Sequence, residues 1–188
     1  MALQRDTLAD RMLAELRPGL SADVLEQIDD LAKALTAARR IACYGVGREG
    51  LMMKALAMRL FHLGLDAHVV GDMTTPPMNT NDVLFISAGP GHFSTVEALM
   101  DVAKEAGAKV ICVTAEPDGV VPVKADLVVH LPAQTMAADR GDDATSILPM
   151  GSLYEALMFL FFEILVLDLR DRMDIAPNSM RANHTNLE

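Results

Sequence analysis

Two stretches of the chain combine glycines with groups that hold polar ligands. The first, Gly45-Val46-Gly47-Arg48-Glu49-Gly50, follows a short apolar run and opens a long amphipathic stretch. Backbone N–H groups at such a strand-to-helix turn are free to bind an anion or a sugar hydroxyl. The spacing also matches the G-x-G-x-x-G of dinucleotide sites, which need an acidic residue about 20 residues further on, at the end of the next strand. Asp66 and Asp72 merely flank that strand, so a nicotinamide cofactor fits poorly, and a tight structural turn is the plainer alternative. Glu49 changes what the turn can hold, because a carboxylate in the first helical turn competes for the place a phosphate would take. The second stretch, Ser87-Ala88-Gly89-Pro90-Gly91-His92-Phe93-Ser94-Thr95, again joins an apolar run to a helical pattern. Its hydroxyls suit a polar ligand, or Ser94 or Thr95 simply caps the helix.

The elements that must position these loops follow from periodicity. The first forty residues read as two helices broken at Arg17-Pro18-Gly19, the second entered by Ser21 with Asp23 in its first turn. Residues 1–20 are expected to form a helical arm and residues 21–188 a single domain. Strand-like runs occur at Ile41 to Tyr44, His68 to Val70, Val83 to Ser87, Val110 to Thr114 and Leu127 to Leu131. Helical patterns fit between several of them, clearest from Ser94 to Ala106, where Gly107 is placed to end the helix. Continuous apolar strands alternating with helices predict an α/β fold, a parallel sheet covered on both faces. Ligands of such sheets sit beyond the carboxyl ends of the strands, where the strand order reverses. Residues 133–149, with Asp139-Arg140-Gly141-Asp142-Asp143, read as a polar and mobile connector. The helix predicted from Ser152 to Arg172 is apolar on nearly every side, so it needs cover all round, and a second subunit is the simplest source.

Composition excludes several classes of partner. A net charge of -10 opposes binding to a phosphate backbone. The most apolar stretch, Leu153 to Leu167, is interrupted by Glu155 and Glu163 and is short for a membrane span. Cys43 and Cys112, the only cysteines, lie in apolar runs without zinc spacing and read as buried thiols of a reducing compartment. The polar start of the chain lacks the pattern of a signal peptide, and the cytoplasm is the expected location.

Several separated motifs together resemble one family. Gly45 to Gly50, then Ala57-Met58-Arg59-Leu60-Phe61-His62-Leu63-Gly64 and Val70-Gly71-Asp72-Met73-Thr74-Thr75-Pro76, are similar to the sugar isomerase (SIS) domain of the 6-phospho-3-hexuloisomerases. Pro149-Met150-Gly151-Ser152-Leu153-Tyr154-Glu155 and the tail His184-Thr185-Asn186-Leu187-Glu188 extend the likeness, which runs from about residue 24 to the end. The resemblance implies a flavodoxin-like five-stranded sheet, a homotetramer or dimer of dimers, and isomerisation of a sugar phosphate through an enediol without metal or other cofactor. It implies Glu155 as the base and His184 as a second catalytic group reaching across a subunit boundary. The implied ligand set is Gly47, Arg48, Glu49, Ser87, Gly89, His92, Ser94 and Thr95, with Arg59 and Thr75 from the middle motifs. His62, His68 and His130 are read as structural.

Two positions depart from the family pattern. Its phosphate loop reads roughly Ser-Gly-Ser-Gly-x-Thr, where this chain has Gly89, Pro90 and His92 after Ser87, and serine is common where Glu49 stands. Each lost hydroxyl removes a donor, and Pro90 removes a backbone N–H as well. His92, Ser94 and Thr95 are the candidate replacements. An isomerase for a different or unphosphorylated sugar, and a noncatalytic regulator that binds a sugar phosphate, stay open as alternatives.

Overall fold

The computed structural model describes residues 5–140 and 144–187. Parts of the expected N-terminal arm, polar connector and tail, namely residues 1–4, 141–143 and 188, lie outside the described residues. Five strands, β1 (Ile41–Tyr44), β2 (Ala67–Val69), β3 (Val83–Ser87), β4 (Lys109–Thr114) and β5 (Leu127–His130), form one sheet with every pairing parallel. Their order is β2-β1-β3-β4-β5, the flavodoxin-like arrangement that the motifs imply. Strand order therefore reverses between β1 and β3, and the two glycine-containing loops are the segments that leave these two strands.

Alternate residues of the strands feed two apolar cores. Ile41, Cys43, Val83, Phe85, Ile111, Val113 and Val129 face one layer of helices, and Ala42, Leu84, Ile86, Val110 and Cys112 face the other. The first layer holds α1 (Arg5–Leu16), α2 (Ala22–Ala37), α3 (Gly47–His62) and α5 (Ser152–Arg172); the second holds α4 (Ser94–Glu105). A short α6 (Pro177–Ala182) follows α5 and packs on α3. Strand β3, at the centre, is buried along its whole length, which is why it reads as an unbroken apolar run. The edge strand β5 is held by a side chain instead of a further strand: Gln27 accepts from the His130 N–H and donates to its carbonyl. Cys43 and Cys112 are free and buried, and burial pushes both thiols up to about 12.

The all-round apolarity of α5 has a different origin from the one expected. α1, α2 and α3 all contact it, and its residues Leu153, Leu157, Phe161, Leu165 and Leu169 are buried within the single chain. Phe161 and Phe162 pack edge-on, and Phe162 meets the ring of Phe85 on β3 at 5.8 Å. Of its large apolar residues only Phe159 and Leu167 remain exposed. Most of the cover that a second subunit was expected to give therefore comes from the chain's own helices.

The glycine fingerprint after β1 is explained by packing. A Cβ on Gly50 would stand 2.4 Å from the Gly45 carbonyl oxygen, and one on Gly45 would stand 2.9 Å from the Gly50 nitrogen. Backbone meets backbone there, so neither side can yield. Gly50→Ala is expected to lower stability by about 1–3 kcal/mol through overpacking. Urea unfolding should show this as a lower midpoint with an unchanged slope; an unaltered midpoint would mean the close approach is not what requires glycine.

Candidate functional site

A cleft opens at the reversal point, lined by the start of α3, the loop after β3, the connector after β5 and the start of α5. Its charged groups are Arg48 and Glu49 from α3 and Glu155 from α5. These positions follow from local chain geometry. Gly47, at φ +58°, turns the chain out of β1 into α3 and points Arg48 and Glu49 across the sheet end. Met150 and Gly151, both at positive φ, turn the connector into α5 and bring Glu155 into the first turn of that helix.

Glu49 is buried, and its Oε2 accepts hydrogen bonds from Ser87 Oγ at 2.6 Å and from the Gly89 N–H at 3.0 Å. The Tyr154 hydroxyl lies 3.3 Å from Ser87 Oγ and completes this polar cluster. A Cβ on Gly89 would meet Glu49 Oε1 and the Tyr154 ring, each at 2.7 Å, so glycine is what lets the carboxylate sit against the loop. Burial raises the Glu49 carboxyl above the usual range; the bonds from Ser87 and Gly89 oppose this, and the charge of Glu155 adds to it.

Glu155 is 8% exposed, and its Oε2 lies 3.1 Å from Arg48 Nε as a charge contact rather than an aligned hydrogen bond. Arg48 is turned toward it by a hydrogen bond from Nη1 to Ser152 Oγ at 2.7 Å. Burial raises the Glu155 carboxyl, and Arg48 partly offsets the rise. A carboxylate that is poorly solvated, loosely paired and open to a cleft is suited to taking a proton from a bound ligand.

The expected site residues divide into two sets. Gly47, Arg48, Glu49 and Glu155 line the cleft, with Ser87 and Gly89 behind Glu49. The candidate replacements after β3 are directed elsewhere. His92 pairs with Glu97 at 2.9 Å, and Ser94 and Thr95 are exposed at the start of α4, whose N-cap is Phe93 without a side-chain capping bond. Pro90 and Phe93 are the residues this loop turns to the cleft. Arg59 lies further along α3, 3.6 Å from Glu163 of α5. Thr75 donates to the carbonyls of Val69 and Asp72, fixing the bend after β2, and lines a separate apolar cavity against α4.

His184 is the most displaced of the set. Its ring packs on that of His62 with centroids 5.2 Å apart, at the carboxyl end of α3. Gly47 begins that helix, about 22 Å away at 1.5 Å per residue, so His184 and Glu155 of one chain do not meet. His68 pairs with Asp66 at 2.7 Å, a surface role in keeping with its structural reading.

Several lining residues, Tyr154, Met150 and Thr135 among them, were not among the predicted site residues. Tyr154 and Met150 were visible only as parts of a motif. Thr135, in the connector, is buried with its hydroxyl unpartnered at the cleft wall. The described part of that connector is tied down by Gln134, whose side-chain oxygen accepts from Thr145 and Ser146, and by Asp139, which accepts from the Met150 N–H. Among the described residues no group of three His, Cys, Asp or Glu is arranged to hold a metal ion, and no helix is long and apolar enough to cross a membrane.

Comparison with known proteins places this geometry. Residues 34–160 match the SIS domain family. The chain is 34% identical over 163 residues to a 3-hexulose-6-phosphate isomerase of Bacillus subtilis, covering 87% of this chain and 88% of that protein. It is 35% identical over 190 residues to one of Mycobacterium gastri, covering 100% and 89%. A solved structure from Methanococcus jannaschii, reported as implying the function of a 3-hexulose-6-phosphate isomerase, superposes with a TM-score of 0.81 at 26% identity, over 97% of this chain and 98% of that one. An Escherichia coli protein solved in complex with a ligand shares the fold, at a TM-score of 0.76 and 16% identity, over 98% of this chain and 100% of that one. With matches across most of its length to the family and to these relatives, the chain belongs to the SIS domain family.

Proposed function

We propose that this protein is a sugar-phosphate isomerase of the 3-hexulose-6-phosphate isomerase type, with Glu155 as the base that moves a proton between adjacent carbons. The observation that carries the assignment is the place of Glu155: a raised, loosely paired carboxylate lining a cleft at the reversal point of the sheet. In the direction from fructose 6-phosphate, the carboxylate removes the proton on C3 and leaves a 2,3-enediol. It returns a proton to C2 while the hydroxyl proton of O3 passes to O2, so the carbonyl moves by one carbon and no electrons are gained or lost overall. Arg48 is placed to stabilise the negative charge of the enediol, and Thr135 offers an unsatisfied hydroxyl to the sugar.

The protein is further proposed to act in the cytoplasm as a homotetramer or dimer of dimers. Exposed Leu51, Met58 and Phe61 form an apolar stripe on α3, and Phe159 is exposed on α5, surfaces suited to a second copy. His184, remote from the cleft of its own chain, would supply the transfer between oxygens to the cleft of a neighbour.

Three measurements test these assignments. In deuterium oxide, the protein should wash deuterium into C3 of fructose 6-phosphate, and Glu155→Gln should abolish this exchange while calorimetry still detects binding. Retained exchange would remove Glu155 from the role. Because Arg48 lowers the Glu155 carboxyl, Arg48→Met should move the acid limb of kcat/KM to higher pH; an unmoved limb would mean that another group titrates. Light scattering should show an oligomer, and a mixture of Glu155→Gln and His184→Ala subunits should recover activity that neither has alone. A monomer, or a mixture as inactive as its parts, would refute the shared site.

A further inference from the structure

The loop after β3 already holds an anion, and that anion is part of the chain. Ser87 Oγ and the Gly89 N–H converge on one carboxylate oxygen of Glu49, at 2.6 and 3.0 Å, in an enclosed setting at the reversal point. Two convergent donors of this kind form a seat for a tetrahedral oxyanion as readily as for a carboxylate. Pro90 and Phe93, the residues by which the rest of the loop lines the cleft, bring no side-chain donor to it. Pro90 has no N–H, Phe93 has no polar side-chain atom, and the imidazole of His92 is turned to Glu97.

The surrounding charges weigh the same way. The groups facing Glu49 are Tyr154 and Glu155 on α5, Ser87 on β3 and Cys112 on β4. Cys112 and Tyr154 stay neutral, because burial raises both. Arg48, the one cation among the residues lining the cleft, is engaged with Glu155. A phosphate brought to this loop meets one uncompensated carboxylate and two donors already in use.

We infer that Glu49 determines specificity as an internal ligand: it fills the seat made by Ser87 and Gly89, so this loop captures a phosphate monoester only after Glu49 has taken up a proton and left the seat. The inference rests on the sugar-phosphate reading above and adds a condition to it, namely that phosphate capture takes up a proton. Burial raises the Glu49 carboxyl, so this uptake sets in at a higher pH than it would for an exposed glutamate. The sign is fixed: the neutral acid gives up the seat, so phosphate affinity rises as pH falls through the Glu49 titration.

The test is calorimetric titration with fructose 6-phosphate, and with inorganic phosphate alone, at about pH 8 and again at lower pH values down through the acid range in which the protein stays folded. Glu49→Ser should bind both ligands about tenfold or more tighter than the wild type at the higher pH, the factor one regained charge-assisted bond supplies. Wild-type affinity should climb toward that of the variant at the lower pH values. Glu49→Gln keeps the volume and removes the charge, so it separates the effect from misfolding of the serine variant. It should also bind more tightly at high pH, and its residual pH dependence should be only that of the ligand, whose second pKa is about 6. Equal affinities of the wild type and both variants at every pH would overturn the inference. If affinities shift as expected but no form catalyses exchange at C3, the seat stands and the isomerase reading fails. If exchange depends on Glu155 while Glu49 variants leave phosphate binding unchanged, the reverse holds.

Discussion

The cleft depends on how α5 lies across the sheet. Apolar on most of its surface, the helix is wedged among α1, α2 and α3 with Phe161 and Phe162 against the β3 side of the core. Removing one such ring from a close-packed interior typically costs about 3–5 kcal/mol, so the helix has little freedom to shift along its axis. Its first turn consequently arrives at one place, the carboxyl end of β1 and β3. Glu155 is carried there by hydrophobic packing whose centre lies about two turns further along the helix.

That placement has an electrostatic cost that the site keeps in partial balance. Two carboxylates, Glu49 and Glu155, face one cleft with one guanidinium between them. The two are treated differently. Glu49 is satisfied by two close donors, whereas Glu155 has a charge partner without an aligned hydrogen bond. Arg48 is largely exposed, so solvent weakens its hold on Glu155. The pair is thus split into a carboxylate with a structural anchor and one left available to a ligand.

Much of the fold was legible in the sequence. β-strand runs, the break at Pro18, the glycine after α4 and both limits of α5 all appear in local patterns, because period and punctuation are set by neighbouring residues. The competition between Glu49 and a phosphate was also visible, since it needs only the helix dipole. The partner that Glu49 takes was not: Ser87 is 38 residues away and meets it only because β1 and β3 are adjacent in the sheet. Side-chain direction was similarly hidden. Arg59 turns to Glu163, Thr75 turns inward to its own bend, and His92 turns to Glu97, each choosing a neighbour that no spacing rule reveals. α5 misled for a related reason, since apolarity on every side says that cover exists without saying which chain provides it.

The absence of tryptophan gives Tyr154 a second significance. Near-ultraviolet emission from this protein comes from two residues, Tyr44 and Tyr154, and only the latter lines the cleft. Its ring touches the Gly89 turn, and its hydroxyl lies beside Ser87. Any rearrangement of the Glu49 carboxylate changes the surroundings of that phenol directly. The molecule therefore carries its own optical reporter, built into the wall it would report on, with no label to introduce.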